Sequence, residues 1–135
     1  RISCERLLSG PGLVNIHAAL CAIHGQETAS FTAADITLAG MNKTDALCEQ
    51  AFDVFFEILG QVAGDIALAI GANNGVFISG GICQRYPELL SDSKFRHGFE
   101  NKGRQSHLQK KVPTWLITHR NPGLLGASVY AQSMA

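Results

Sequence analysis

Residues 44–70 constrain this chain more than any other segment. Leu47, Ala51, Phe55, Leu59 and Ala63 recur every four residues, and Phe52, Phe56, Val62 and Ile66 widen the same apolar face. This period predicts one long helix of roughly 40 Å at 1.5 Å per residue. Asp45, Glu49, Asp53, Glu57, Gln61 and Asp65 form a second stripe, read as a solvated face. Gly60 and Gly64 lie one turn apart, so another backbone can approach there. In a bilayer such spacing marks a helix dimer, but Glu57, Gln61 and Asp65 exclude that setting.

The remaining punctuation places shorter elements around this helix. Ser9-Gly10-Pro11-Gly12 turns into a helix from about Pro11 to His24, stopped by Gly25. A polar loop covers 26–31, and Thr32-Ala33-Ala34-Asp35 opens a short helix with an acidic residue near its positive end. Gly71 caps the long helix, and Gly75 to Gly81 reads as a buried strand. A helical stretch over 84–91 is interrupted by Pro87. Ser93 can cap another helix running to about Asn101, and 104–111 is a polar, basic loop. Pro113 to Thr118 reads as a second strand, and Asn121-Pro122 caps and opens a last helix to about Ser133. Strand, helices, strand is a crossover, so the two strands should be parallel. The expected class is α/β: a helix-rich lobe with a small, at least partly parallel sheet.

Length and charge bound the function. A chain of 135 residues and 14.5 kDa allows one domain or one lobe, with about 7,000 Å² exposed when folded. Only 16% of the residues are charged, which fits either a surface partly covered by another chain or domain, or a very compact soluble domain. Lysine plus arginine equals aspartate plus glutamate at 11 each, so no basic excess attracts nucleic acid. No run of 18 uncharged apolar residues predicts a membrane span. Cys4, Cys21, Cys48 and Cys83 contain no Cys-x-x-Cys pair. Cys21 and Cys48 fall in apolar helical patterns and read as buried free thiols of a reducing, cytoplasmic compartment. Arg1 through Arg6 has neither an initiator Met nor an apolar signal region, so the chain is expected to begin mid-protein.

Ligands of open α/β sheets bind beyond the carboxyl ends of the strands. Here those ends are Gly80-Gly81 and His119-Arg120-Asn121. Two adjacent glycines admit a ligand to the backbone, and both loops feed helix N-termini, where free amides attract anions. A nucleotide or phosphate along this edge is one reading on physical grounds, and the other is that the glycines only turn the chain. His119 is the one histidine at this edge. His17 and His24 share a helix and read as packed or surface residues. No histidine stands at a metal-ligand spacing from a Cys, an Asp or a second His, so no metal site is expected. Arg104, Lys110 and Lys111 read as a solvated basic loop.

Three segments together carry a family resemblance. They are Glu5 to Asn15 (ERLLSGPGLVN), Gly75 to Ile82 (GVFISGGI) and Asn121 to Ala127 (NPGLLGA), and Phe99 to Arg104 agrees with them. In this order and spacing they closely resemble the C-terminal part of bacterial glucokinases, across essentially the whole chain. The resemblance implies the actin-like, ribonuclease H-like sugar kinase fold. It implies ATP with Mg as cofactor, phosphorylation of glucose to glucose 6-phosphate, and a homo-oligomer. Gly80, Gly81 and Ile82 would then meet the adenosine. Gly123 to Ala127 would belong to the second connecting helix at the lobe hinge, and Ser9 to Gly12 would lie on the nucleotide side.

The family's Asp-x-Gly-Gly-Thr phosphate loop, its Asn-Asp pair with the general base, its Gly-Thr-Gly loop and its Glu-x-Gly-His sugar motif are not in this sequence. A further sugar-binding Glu would fall just before Arg1. Residues 1–135 are therefore expected to be the nucleotide-side lobe of a longer enzyme, without a catalytic residue, without a Mg ligand and inactive alone. The rival readings are a non-catalytic regulatory or interaction module derived from a sugar kinase lobe, and a kinase for another hexose or an acetylated amino sugar.

Overall fold

The computed structural model describes residues 3–27 and 30–134. Two residues of the expected 26–31 loop, and the first two of the chain, lie outside it. A 3-10 turn at Cys4–Arg6 leads into α1 (Gly10–Ile23), α2 (Ala33–Met41) and α3 (Ala46–Ile70). Then come β1 (Val76–Ile78), α4 (Gly81–Arg85), α5 (Pro87–Ser91), α6 (Phe95–Glu100), α7 (Ser106–Gln109), β2 (Thr114–Leu116) and α8 (Pro122–Ser133).

Local chemistry sets most of these boundaries. Ser9 Oγ accepts the Gly12 N–H at 3.0 Å and starts α1, with Pro11 in its first turn. Thr32 and Asp35 form a reciprocal capping box at α2. Asp45 Oδ1 accepts the Leu47 and Cys48 N–H groups at 2.8 and 2.9 Å and starts α3. Gly71, at φ 68°, ends α3 in a left-handed conformation that costs a residue with a Cβ.

The capping box yields a pH prediction. Hydrogen bonds from the Thr32 hydroxyl and the Thr32 N–H hold the Asp35 carboxyl below its ordinary 3.8. A lowered native pKa means stabilisation that is complete above 3.8 and is lost as pH falls through the native value. Asp35→Asn is therefore expected to destabilise the chain at neutral pH, and the gap to the wild type should close in acid. Urea unfolding at neutral pH and near pH 3 checks this; a gap that widens in acid contradicts it. Thr32→Ala should cost about 1 kcal/mol at neutral pH.

The core lies where α1, α2 and α6 pack on α3. Phe52, Phe55, Phe56, Phe95 and Phe99 fill it together with Leu13, Ile16 and Ile36. The expected backbone approach at Gly60 and Gly64 is made by α6. A Cβ on Gly60 would collide with the Phe95 carbonyl, one on Gly64 with the Phe99 carbonyl, and one on Gly98 with the Glu57 carbonyl.

The acidic stripe is not simply solvated. Asp45 is the cap of α3. Asp53 pairs with Lys94 at 2.9 Å, Glu57 meets His97 at 3.1 Å, and Asp65 pairs with Lys102 at 2.8 Å. These partners lie on and just beyond α6, so the stripe borders that helix.

β1 and β2 pair in parallel, with Val76 opposite Thr114, Phe77 opposite Trp115 and Ile78 opposite Leu116. The crossover rule is borne out, but the expected buried strand is half right. Ile78 is buried, whereas Phe77 is 66% exposed and stacks on Trp115 at 5.0 Å. Strand side chains alternate between faces, and among the described residues only one face of this sheet has a covering layer.

Two further expectations need correction. The 104–111 loop is a 3-10 turn followed by α7, because Gln109 reaches inward and donates to the Gly64 carbonyl at 2.9 Å. The Asn121 side chain makes no cap hydrogen bond; its N–H instead donates to His119 Nδ1 at 3.1 Å. No helix among the described residues is long and apolar enough to cross a membrane.

Candidate functional site

The two strand ends meet, as the topology requires. Ile78 accepts the Ile117 N–H at 2.8 Å, and Gln84 on α4 donates to the His119 carbonyl at 3.1 Å. The chain leaving β1 passes through Ser79 and Gly80 into α4. Gly80 stands at φ 157°, and neither Gly80 nor Gly81 has any neighbour within 4 Å of where a Cβ would be. Both present bare backbone to open space.

That space is a cleft of about 480 Å³. One wall is Ser79, Gly80, Gly81 and Ile82 after β1. The cleft is also lined by Ser9 and Gly10 at the head of α1, by Ala33, Ala34 and Thr37 of α2, and by Phe55, Leu59 and Ile78, of which Phe55 and Ile78 are buried. All three expected contact residues, Gly80, Gly81 and Ile82, line this one cleft, and the Ser9–Gly10 turn joins them from 70 residues away in sequence. Residues of the carboxyl-edge loop after β2 do not line it; His119 is exposed and spent on the Asn121 N–H.

The cleft's charge is simple. Among the described residues, Arg85 is the one charged residue in its lining, and none of them brings a carboxylate to it. A slot with apolar lining residues, bare backbone at its rim and one guanidinium suits a flat apolar ring system bearing an anionic group. The lining offers no oxygen ligand set for Mg²⁺. Helix α4 is only five residues long, so its N-terminal dipole contributes less anion attraction than a full helix would. Arg85 and Tyr86 were not singled out in sequence; Pro87, which breaks the helical stretch, was the available signal that they turn at a helix end.

The other candidates separate. Arg104, Lys110 and Lys111 are exposed and do not line the cleft. Lys102, beside them in sequence, is the structural one: its side chain is 7% exposed, and Nζ donates to the Gln61 carbonyl at 2.8 Å while pairing with Asp65. Cys21, Cys48 and Cys83 are buried free thiols and Cys4 is an exposed one. Burial raises the Cys83 thiol pKa, and burial with the neighbouring Asp45 charge pushes Cys48 up to about 11. Neither is a nucleophile at neutral pH. His17 is buried against Phe31, with ring centroids 5.3 Å apart.

Comparison with known proteins bears on the chain as a whole. The sequence is 47% identical to a glucokinase of Nitrobacter hamburgensis, a match covering 93% of this chain and 39% of that protein. It is 44% identical to a glucokinase of Colwellia psychrerythraea, over 96% and 41% respectively. The fold superposes on the crystal structure of a glucokinase from an Antarctic psychrotroph with a TM-score of 0.86 at 36% identity, covering 95% of this chain and 40% of that one. The chain thus spans about 40% of the length of the curated relatives it matches. These matches bear out the resemblance to the C-terminal part of bacterial glucokinases. The glucokinase family model matches residues 1–134, and the chain belongs to the glucokinase family.

Proposed function

We propose that residues 1–135 form the nucleotide-side lobe of an ATP-dependent glucokinase that phosphorylates glucose to glucose 6-phosphate in the cytoplasm. The observation that carries this reading is the cleft that Gly80 and Gly81, presenting bare backbone, line together with the Ser9–Gly10 turn. Gly80, Gly81 and Ile82 contact the adenosine, Phe55, Leu59 and Ile78 take the apolar ring face, and Arg85 faces the anionic side. Bound ATP supplies the phosphoryl group. This chain's part is to hold and orient the nucleoside and keep water from its ring face. Mg²⁺ and the general base belong to residues outside this sequence.

Exposed apolar surface supports a covered lobe. The chain exposes 8720 Å², roughly a quarter more than the ~7,000 Å² of a compact protein of its mass. α8 buries none of its residues, and Leu124, Val129 and Tyr130 are 73, 58 and 65% exposed. This helix and the Phe77–Trp115 face take their cover from the sugar-side lobe and from a second protomer.

Gly81→Val tests the nucleotide reading. Its Cβ meets nothing, so the fold tolerates the change while the side chain fills the cleft. Calorimetry with ATP is expected to show weak binding by the wild-type chain and at least about tenfold weaker binding by Gly81→Val, with unchanged circular dichroism. Equal affinity would place the nucleotide elsewhere. A coupled assay on the 135-residue chain should detect no glucose-dependent ATP turnover; turnover near that of a complete kinase would put the missing chemistry inside this sequence.

A further inference from the structure

We propose that His17, Asp45 and Cys48 form a binding site for a zinc-class divalent cation that ties α1 to the head of α3. One nitrogen, one carboxylate oxygen and one sulfur from these residues all lie within 4.8 Å of one another. A tetrahedral ion with bonds of about 2.0–2.3 Å needs ligand separations of roughly 3.5 Å, so the three side chains need close in by only about 1 Å.

Their placement follows from the helices. His17 and Cys21 stand four apart on one face of α1, and Asp45 and Cys48 stand three apart at the N-terminal end of α3. The packing of α1 on α3 brings the two pairs together. The nearest group for a fourth position is Cys21, whose Sγ lies 3.8 Å from both His17 ring nitrogens.

The second observation is His17 itself. Its side chain is 3% exposed, and that long contact with a thiol is the one hydrogen-bond-range partner its ring has among the described residues. A buried imidazole with no oxygen or nitrogen partner loses hydration for little return. A metal bond to one nitrogen would satisfy it. Asp45 is pre-positioned in a different way. Its Oδ1 accepts two backbone N–H groups, which orients the carboxylate and leaves the other oxygen without a backbone partner. A mixed nitrogen, oxygen and sulfur set selects Zn²⁺ or Co²⁺ over Ca²⁺ and Mg²⁺. Cys48 is completely buried, so the ion replaces the S–H proton: a metal–sulfur bond forms, and one proton leaves to solvent for each thiol that binds.

The test uses the 135-residue chain carrying Cys4→Ser, which removes the exposed thiol. After treatment with a chelator it is titrated with Co²⁺. The expected result is saturation at one equivalent, a sulfur-to-cobalt charge-transfer band with tetrahedral visible bands, and their disappearance when Zn²⁺ is added. Cys48→Ser should weaken the charge-transfer band at least about twofold, since Cys21 is the one other sulfur the site brings within reach. Asp45→Asn retains a good N-cap residue, so it should keep the wild-type circular dichroism while weakening Co²⁺ binding by more than the roughly 10- to 100-fold typical of an outer-shell change. Absence of the band in the parent chain would overturn the proposal, and so would an undiminished band in Cys48→Ser. Because the parent chain alone decides the first outcome, a variant that fails to fold does not rescue the idea.

Discussion

Gly60→Ala is expected to destabilise the chain by about 2 kcal/mol or more, although alanine is the better helix former. Two effects oppose each other. Alanine in place of glycine inside a helix gains up to about 1 kcal/mol of propensity. The added methyl would overlap the Phe95 carbonyl and crowd the Phe99 amide nitrogen. These are backbone atoms of the facing helix, so no rotamer change relieves the overlap and α6 must shift as a unit. Overpacking of this kind costs roughly 1–3 kcal/mol and sometimes more. The upper end applies here, because Gly98 presses on the Glu57 carbonyl from the other side and closes the same crossing. Urea unfolding followed by circular dichroism measures the difference. A midpoint equal to or above the wild type would show that the two helices do not cross as closely as described.

Phe99→Ala should cost still more, about 4 kcal/mol. Phe99 is completely buried and stacks on Phe95 at 5.9 Å. The Arg96 guanidinium lies 4.9 Å from its ring centroid. Truncating a buried Phe typically costs about 3–5 kcal/mol, and the loss of a cation over the ring adds roughly 0.5–1 kcal/mol. Set against the 5–15 kcal/mol typical of a domain, the variant would be marginal. The damage should also spread beyond the cavity. Arg96 bonds Glu100, the Val112 carbonyl and Thr114, so Phe99 steadies the arm that holds the entry to β2. Phe99→Leu should recover more than half of the loss. A Phe99→Ala chain unfolding within 1 kcal/mol of the wild type would sink this account of the core.

The helices were legible in sequence because their signals are local. The four-residue apolar period of α3, the Ser9 and Asp45 caps and the Gly71 stop involve atoms within one or two turns of each other. Turn glycines and the strand–helices–strand order likewise foretold the parallel pair and the Gly80–Gly81 edge. Corrections cluster where a distant segment decides. The acidic stripe reads as solvated until Lys94, His97 and Lys102 arrive across α6. The 104–111 segment reads as loop until Gln109 finds the Gly64 carbonyl. Strand β1 reads as buried because apolar residues alone do not say which face will find a covering layer.

The sequence by itself determined this protein's helical periods, their ends, the direction of its strand pair and its place in the glucokinase family. Only the tertiary structure decided which backbone Gly60 meets, which turn lines the cleft with Gly80, and that His17 lies beside Asp45 and Cys48. The physical reason is range. Periodicity, capping and turn chemistry act over a few residues along the chain, whereas clefts and ligand clusters arise from contacts between segments that sequence order keeps far apart.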